Sequence, residues 1–458
     1  MANASSGASS TSPAAAPEIR HRRRTALSVA RPVGRPLVLG IVNLPRVPIF
    51  LTRILDTVAP PRLGPSFRWL LAASSINNAG DGVVIAAGPL LVASQTHDPF
   101  LVSMALLSEY LPALLFGVIG GVAADRFDRR RMVVVVNLVR SFVLAGLVVT
   151  IATGTVSIAA VLIVLFILGT AETFADSASS TLLPAMVARD DLGIANARVQ
   201  GAVLLTNQLV FPPVGAFLFA AGMALPFAAN AAAFALGTVL ISRITTSVRS
   251  ERPAQTSFRA DMVEGIRWLV AHPPMRTLAI TIFTFNVTYG AAWSVLVLYA
   301  GERLHMDALG FGLITTAIAT GGIIGIASYG RLERRFSLAN IMRVGLVIET
   351  FTHLLLAVTT SPAFALAVFV VFGAHAFVWG TTSTVVRQRA VPNELLGRVG
   401  GVYRVAIVGG LVIGTPIGGL LASTYGITAP FWFGFVGSGL LVAILWRQFA
   451  HIAHAEAT

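Results

Sequence analysis

The chain has 458 residues, 55% of them hydrophobic and 12% charged, with a mean hydropathy of +0.79. Soluble domains carry about 25% charged residues, so this chain lacks the polar cover of a water-soluble fold. The absence of cysteine excludes disulfide scaffolds, thiolate catalysis and Cys-based metal sites. The net charge of +13 is carried wholly by arginine, since there is no lysine, and the arginines fall between apolar runs. That placement reads as membrane topology and not as a nucleic-acid footprint.

Residues 1–66 differ from the rest. Ala, Ser, Pro and Gly with Arg20, Arg22, Arg23 and Arg24 read as a disordered basic cytoplasmic tail. The stretch Leu37–Val58, interrupted by Pro45, Arg46, Pro48 and Arg53, reads as an interfacial segment. From Phe67 onward twelve runs are long enough for a helix of about 20 residues to cross a bilayer: 67–94, 99–124, 132–153, 155–183, 193–220, 222–245, 275–300, 307–330, 337–359, 362–386, 394–421 and 427–448. They lack the period-two alternation of membrane strands. The expected fold is all-α and integral to the membrane: twelve transmembrane helices in two six-helix pseudo-symmetric bundles. The bundles span 67–245 and 275–450, joined by a cytoplasmic linker at 246–274 and followed by a tail at 451–458.

In the linker, Met262, Ile266, Trp268 and Leu269 alternate with Asp261, Glu264 and Arg267, which suits an amphipathic helix on the cytoplasmic surface. One set of loops holds Arg126, Arg129, Arg130, Arg131, Arg189, Arg249, Arg252, Arg259, Arg331, Arg334, Arg335, Arg387, Arg389 and Arg398, and the opposite set only Arg303. The positive-inside rule then places both termini in the cytoplasm. The halves repeat at an offset of 203 positions: Asn137-Leu-Val-Arg140 with Asn340-Ile-Met-Arg343, Asp191-Leu192 with Glu394-Leu395, and Pro213-Val-Gly215 with Pro416-Ile-Gly418. Six spans per repeat give both halves one orientation, related by a pseudo-two-fold along the membrane normal.

Between the second and third spans lies Gly120-Gly121-Val-Ala-Ala-Asp125-Arg126-Phe-Asp128-Arg129-Arg130-Arg131. It resembles the loop 2–3 signature of the major facilitator superfamily. With Leu183-Pro184, Asp191-Leu192, Ala195-Asn196, Pro213-x-Gly215 and Gly265-Ile-Arg267-Trp268, the resemblance narrows to the branch of enterobactin exporters and macrolide efflux pumps, over about residues 63–448. It implies secondary active transport by alternating access in the bacterial cytoplasmic (inner) membrane. It also implies that Asp125 latches to the start of the eleventh span, with Arg126, Arg129 and Arg130 in the same charge cluster and Gly121 permitting close helix packing. Phe211-Pro212-Pro213-Val-Gly215 and Gly414-Thr-Pro416-Ile-Gly418 resemble the antiporter signature Gly-Pro-x-x-Gly, which leans toward export. Kinked helices with small-residue packing are the plainer reading of Pro213, Gly215, Pro416 and Gly418.

Ionisable groups inside spans are costly and are functional candidates by default. Asp81 lies in the first span, and Glu172 and Asp176, four apart, share a face of the fourth. Such carboxylates can exchange a proton for a cationic or polar substrate; the alternative is a structural role, for instance with Arg140 neutralising one of them. The family lines its cavity with the first, fourth, seventh and tenth spans, which implies cavity positions for all three. Glu109, in the second span, is a further candidate for the outer cavity. Glu349 and His353, also four apart, read as a structural pair. Asn77, Phe285, Asn286, Tyr289, Trp293, His375 and Trp379 are candidates for a cavity wall facing amphipathic ligands, against the alternative of packing or lipid contact.

The expected function is a proton-coupled exporter of amphipathic small molecules such as drugs or siderophores, acting as a monomer without cofactor, metal or nucleic acid. Its partners are then the substrate, protons and the lipid bilayer. An uptake permease of the same fold is the alternative. A membrane-embedded lipid-modifying enzyme is a weaker one, because no loop is long enough to carry its chemistry.

Overall fold

A computed structural model describes residues 59–244 and 258–449. The expectations for the basic tail through 58, the segment 37–58 and the tail at 451–458 lie outside the described residues. The described chain is helical: α1 (Gly64–Gln95), α2 (Pro99–Arg126), α3 (Arg129–Ala152), α4 (Ile158–Met186), α5 (Arg189–Ala221), α6 (Leu225–Ser242), α7 (Phe258–Ala271), α8 (Pro273–Trp293, continued by Leu296–Arg303), α9 (Ala308–Arg335), α10 (Leu338–Val358), α11 (Pro362–Ala390), α12 (Leu396–Tyr425) and α13 (Ala429–Leu445). Ten of these are long and apolar enough to cross a membrane, and eleven if the two parts of α8 form one span. The 17-residue α13 is shorter, about 26 Å at 1.5 Å per residue. The chain is a multi-pass membrane protein.

The helices begin where side chains can satisfy their first backbone N–H groups. Asp98, Asp128, Ser157, Asp307, Ser337 and Ser361 each accept from a backbone N–H in the first turn of the helix that follows. Two helices are irregular inside. In α5 a π-helical segment, Leu204–Val210, precedes Pro212 and Pro213, which lack the N–H that a regular α-helix would use. The two parts of α8 meet at 44°, a break the apolar run at 275–300 does not signal. There the Ser294 hydroxyl donates to the Ala291 carbonyl at 3.0 Å, and a π-helical turn follows at Tyr299–Arg303.

Small residues set the closest crossings. A Cβ on Gly215 would lie 2.1 Å from the Val83 carbonyl oxygen, so α5 touches α1 backbone to backbone. Gly414 and Gly418 do the same to α8, with a Cβ 2.1 Å from the Val287 and 2.0 Å from the Ala291 carbonyl oxygen. The repeated Pro-x-Gly motifs thus mark equivalent crossings, as small-residue packing between membrane helices requires. The glycine pair of the loop 2–3 motif divides: Gly120 packs against Thr173 and Ser177 of α4, whereas Gly121 faces open space. Close packing at Gly121 is therefore not found.

Among the described residues, the buried apolar contact between the two halves is concentrated at one end. Around the arginine-poor connections a single buried cluster joins Ala86, Leu91 and Val102 of the first half to Leu296, Tyr299 and Phe311 of the second. Gly419 of α12 packs on Phe100 and Ser103 of α2, and Gly312 of α9 on Pro213 and Ala216 of α5. At the arginine-rich end the cores are separate. One runs from Leu63 and Phe67 to Ile241, the other from Leu269 and Met275 to Phe449. The structure is closed at the arginine-poor end and parted at the other.

The α8–α12 crossing yields a direct test. Gly418→Val forces backbone apart and is expected to destabilise the protein by about 1–3 kcal/mol, read as a lower thermal unfolding midpoint in detergent. Gly121→Ala, in open space, leaves that midpoint within about 0.5 kcal/mol equivalent.

Candidate functional site

The densest charge cluster lies at the middle of the first-half helices. Arg140 sits at the midpoint of α3 and Glu172 at the midpoint of α4. The guanidinium is 3.7 Å from the Asp81 carboxylate on one side and 3.7 Å from Glu172 on the other. Its side chain is only 5% exposed, while that of Glu172 is 50% exposed. Contacts of 3.7 Å are ion pairs without hydrogen-bond geometry. Phe234 of α6 lies against the guanidinium, 4.8 Å from Cζ to ring centroid. One buried arginine is therefore held by an aromatic face and shared between two carboxylates from different helices.

Polar groups surround this clamp. Asn137 is one turn before Arg140, and both its side-chain atoms are buried without partners among the described residues. Asn230 presses its Oδ1 toward Gly80, next to Asp81, and that atom is also unpartnered. Gly82, on the other side of Asp81, abuts the carbonyls of Thr206 and Asn207 in the π-helical segment of α5. Asp81 is thus fixed where α1, α5 and α6 come closest.

Two further carboxylates extend the cluster. Asp176, exposed on α4, is acted on by the charges of Glu172, Arg140 and Arg404 of α12. Glu109, exposed on α2, interacts electrostatically with Glu172 and Asp81, and with Tyr289 of α8. Asp81, Glu172 and Asp176 face Arg140, Asp176 also faces Arg404, and Glu109 adds a fourth carboxylate beside Glu172 and Asp81, so acids outnumber arginines in surroundings where charge is costly. Such an arrangement favours binding a proton or an organic cation. Arg140 entered the sequence reading only as a possible neutraliser, and Arg404 not at all. The recurrence of Arg140 at Arg343 was a signal for the former; nothing in the local sequence of Arg404 singles it out.

The expected aromatic wall is partly assembled. Tyr289 and Trp293 of α8 stack at 4.3 Å, and Phe372 of α11 joins them at 6.0 and 4.7 Å. Other members lie elsewhere. Phe285 is buried in the second-half core, so it is not on a wall. The Asn77 carboxamide is buried against Gly237 of α6, and Asn286 fills the α8–α12 crossing at Gly410, donating to the Ile282 carbonyl at 2.7 Å. Trp379 packs against Gly345 of α10. His375 is buried and bonded to Glu349 at 2.6 Å. Glu349 therefore pairs with the next helix and not with His353, whose Nδ1 meets the Glu349 backbone carbonyl at 3.0 Å. Helical spacing suggested the wrong partner because a side chain four residues on can be satisfied by main chain. A separate recess of about 580 Å³ runs along α11 past Phe377, Thr381, Thr384 and Gln388, toward the parted end.

At the loop 2–3 motif the side chain of Asp125 lies outside the described residues, and with it the expected latch. Arg126 is exposed. Arg129 donates to the Ala124 carbonyl at 3.3 Å and Arg130 to the Ser242 carbonyl, both within their own half. In the second-half copy Glu333 pairs with Arg389 at 3.3 Å. At the start of α12, Arg398 meets Asp261 of α7 at 2.7 Å and Glu264 at 3.0 Å.

The shared guanidinium predicts strong coupling. Arg140→Gln and Asp81→Asn are expected to be non-additive by about 0.5–3 kcal/mol in a double-mutant cycle of unfolding in detergent. Additive effects would show that Arg140 and Asp81 do not interact.

The sequence pattern of the transmembrane secretion effector family matches residues 56–458. The multidrug efflux pump Tap of Mycolicibacterium fortuitum is 28% identical over 80% of this chain and 91% of its own length. The enterobactin exporter EntS of Salmonella typhi is 26% identical over 83% of this chain and 92% of its own. Among solved structures, a mutant of the nucleoside transporter NupG superposes with a TM-score of 0.69 at 14% identity, covering 84% of this chain and 100% of that one, a likeness of fold. The chain belongs to the transmembrane secretion effector family of the major facilitator superfamily and is a membrane transporter of small molecules.

Proposed function

We propose that the protein is a proton-coupled exporter of amphipathic, preferentially cationic small molecules, working by alternating access between two six-helix bundles of twelve spans. The observation that carries this reading is Arg140, shared between Asp81 and Glu172 at the centre of the helices. When a proton or a substrate cation neutralises one carboxylate, the guanidinium is left to the other. Proton and substrate thereby compete for the same negative charge, the requirement for exchange. Asp176 and Glu109 add charge on the faces that interact with Arg404 and Tyr289 of the second half, and the Tyr289–Trp293–Phe372 stack offers an apolar, cation-compatible surface.

Arginine asymmetry supports an arrangement in the bacterial inner membrane with the arginine-rich end and both termini in the cytoplasm. The parted end then opens inward, the state that would load an exported substrate. Closure of that end would bring Asp125, Arg126, Arg129 and Arg130 toward the start of α12, where Arg398 is engaged by α7. The efflux relatives favour export over uptake.

Proton flux in inverted membrane vesicles tests the proposal. After an inside-acid gradient is set, a panel of cationic drugs and siderophores is added while a pH-quenched dye is followed. Substrate-triggered recovery of fluorescence is expected, and its loss in Glu172→Gln that inserts normally. Wild-type exchange in folded Glu172→Gln overturns the assignment of Glu172, and substrate-dependent flux in the uptake direction alone overturns export.

A further inference from the structure

The second half contains a buried acid–histidine pair that the transport reading does not use. Glu349 of α10 and His375 of α11 are both nearly inaccessible, with Nε2 and Oε2 2.6 Å apart. That is shorter than an ordinary N–H···O bond, and charge-assisted bonds are the shorter class. Beside it lies the fully buried ring of His353, with Nδ1 at the Glu349 carbonyl and Nε2 unpartnered among the described residues. His375 Nδ1 and Trp379 Nε1 are also buried and unpartnered, and both side chains border Gly345. Two histidine ring nitrogens beside the carboxylate and an indole N–H at Gly345, all buried without partners among the described residues, are unusual in a purely structural bridge, because each carries a desolvation penalty.

Among the described residues, few titratable groups face the pair from the elements packed against it. Tyr289 of α8 is the titratable group facing Glu349 from that helix, with Glu109 of α2 acting on Tyr289 in turn. On α11 the facing group is His375, on α10 itself His353. Packed on α10, α13 contributes Gly434 against the His353 ring and has no titratable side chain. The three groups do not form a metal-binding cluster.

We infer that Glu349 and His375, with His353 beside them, form a second proton-binding site, in the second half, that sets the position of the aromatic wall. With one proton the pair is neutral overall, an imidazolium held by a carboxylate. A second proton on the carboxylate weakens the bond and leaves a buried positive charge; loss of the first leaves an uncompensated negative one. Either change displaces the rings, and the rings lead to the wall. His375 contacts Phe372 edge-on at 5.6 Å, Phe372 lies 4.7 Å from Trp293, and His353 contacts Trp293 edge-on at 6.1 Å. Glu349 and His375 are positioning residues in this role. The role, though not the proton site itself, rests on the proposed proton-coupled transport.

Tryptophan fluorescence of the purified full-length protein reads the site without transport. A Trp268→Phe background removes the other tryptophan–histidine contact, between Trp268 and His272. Titration between about pH 5 and 9, without substrate, is expected to show a protonation-dependent quench that is absent in His375→Gln and displaced along the pH axis in Glu349→Gln. An unchanged titration in folded His375→Gln overturns the site. Should His375→Gln not fold, infrared difference spectra between acid and neutral pH decide: the parent-minus-Glu349→Gln double difference is expected to contain one carboxylic C=O component, over and above the bands of the other acids, and identical spectra for parent and folded Glu349→Gln overturn the site. For the role, Glu349→Gln is expected to shift the pH profile of vesicle exchange while retaining exchange, unlike Glu172→Gln. An unshifted profile overturns the role. Failure of exchange in the parent protein with an intact titration removes the transport reading and leaves the proton site.

Discussion

Arg140 is the constraint around which the first half of the molecule is arranged. A guanidinium at the centre of an apolar bundle is tolerable only if opposite charge reaches it, and here the charge comes from α1 and α4 while α6 supplies the ring beneath it. Those contacts require α1, α3, α4 and α6 to keep one rotation and one depth. Glycines enforce the rest: Gly80 and Gly237 bring α1 onto α6, Gly82 and Gly215 bring it onto α5, and Gly169 brings α4 onto the main chain at Glu109. The carboxylates are thus placed by close backbone contact rather than by flexible side chains, which allows a change in their charge to be felt as a change in helix packing.

The same economy of means recurs in the second half, with different chemistry. Where the first half balances one arginine against two acids, the second places one acid against a histidine and a further ring. The crossing of α12 on α8 repeats that of α5 on α1, so the scaffold is shared although the polar groups are not. In the proposed function, divergent polar centres on a common scaffold let one half bind exchangeable charge and the other shape an aromatic surface. At the closed end Gly312 and Gly419 let the halves pack directly on one another.

What holds the parted end is largely polar. Arg398 bridges Asp261 and Glu264, and Gly265 of α7 packs against the Arg398 carbonyl, so α7 moves with α12 and not with the first half. Arg130 reaches the end of α6, and Glu333 reaches Arg389, each pair again within one half. Ion pairs at an exposed surface contribute little individually, and exchanging them between halves costs correspondingly little. Apolar packing at the closed end is the stronger bond, so in the proposed alternating-access cycle its breaking is the larger event.

The sequence by itself determined that the chain is an all-helical, multi-pass membrane protein and marked the polar candidates. Of the twelve expected spans, ten are long and apolar enough among the described residues, or eleven with α8 counted as one. Runs of about 20 apolar residues have one inexpensive fate, a helix in the bilayer, so their positions follow from composition alone. The i,i+4 spacing likewise placed Glu172 and Asp176 on one face. Spacing along one helix says nothing of how that helix is rotated against its neighbours, and there only the tertiary structure decided. It gave Arg140 to Asp81 and Glu172 together, gave Glu349 to His375 and left His353 on the main chain. It buried Phe285 and opened the space at Gly121. The 44° break in α8 was equally invisible, because Ser294 and a π-helical turn bend the chain where no proline marks it. Local pattern fixes which segments are helical; partner, rotation and bend depend on contacts between residues remote in the chain.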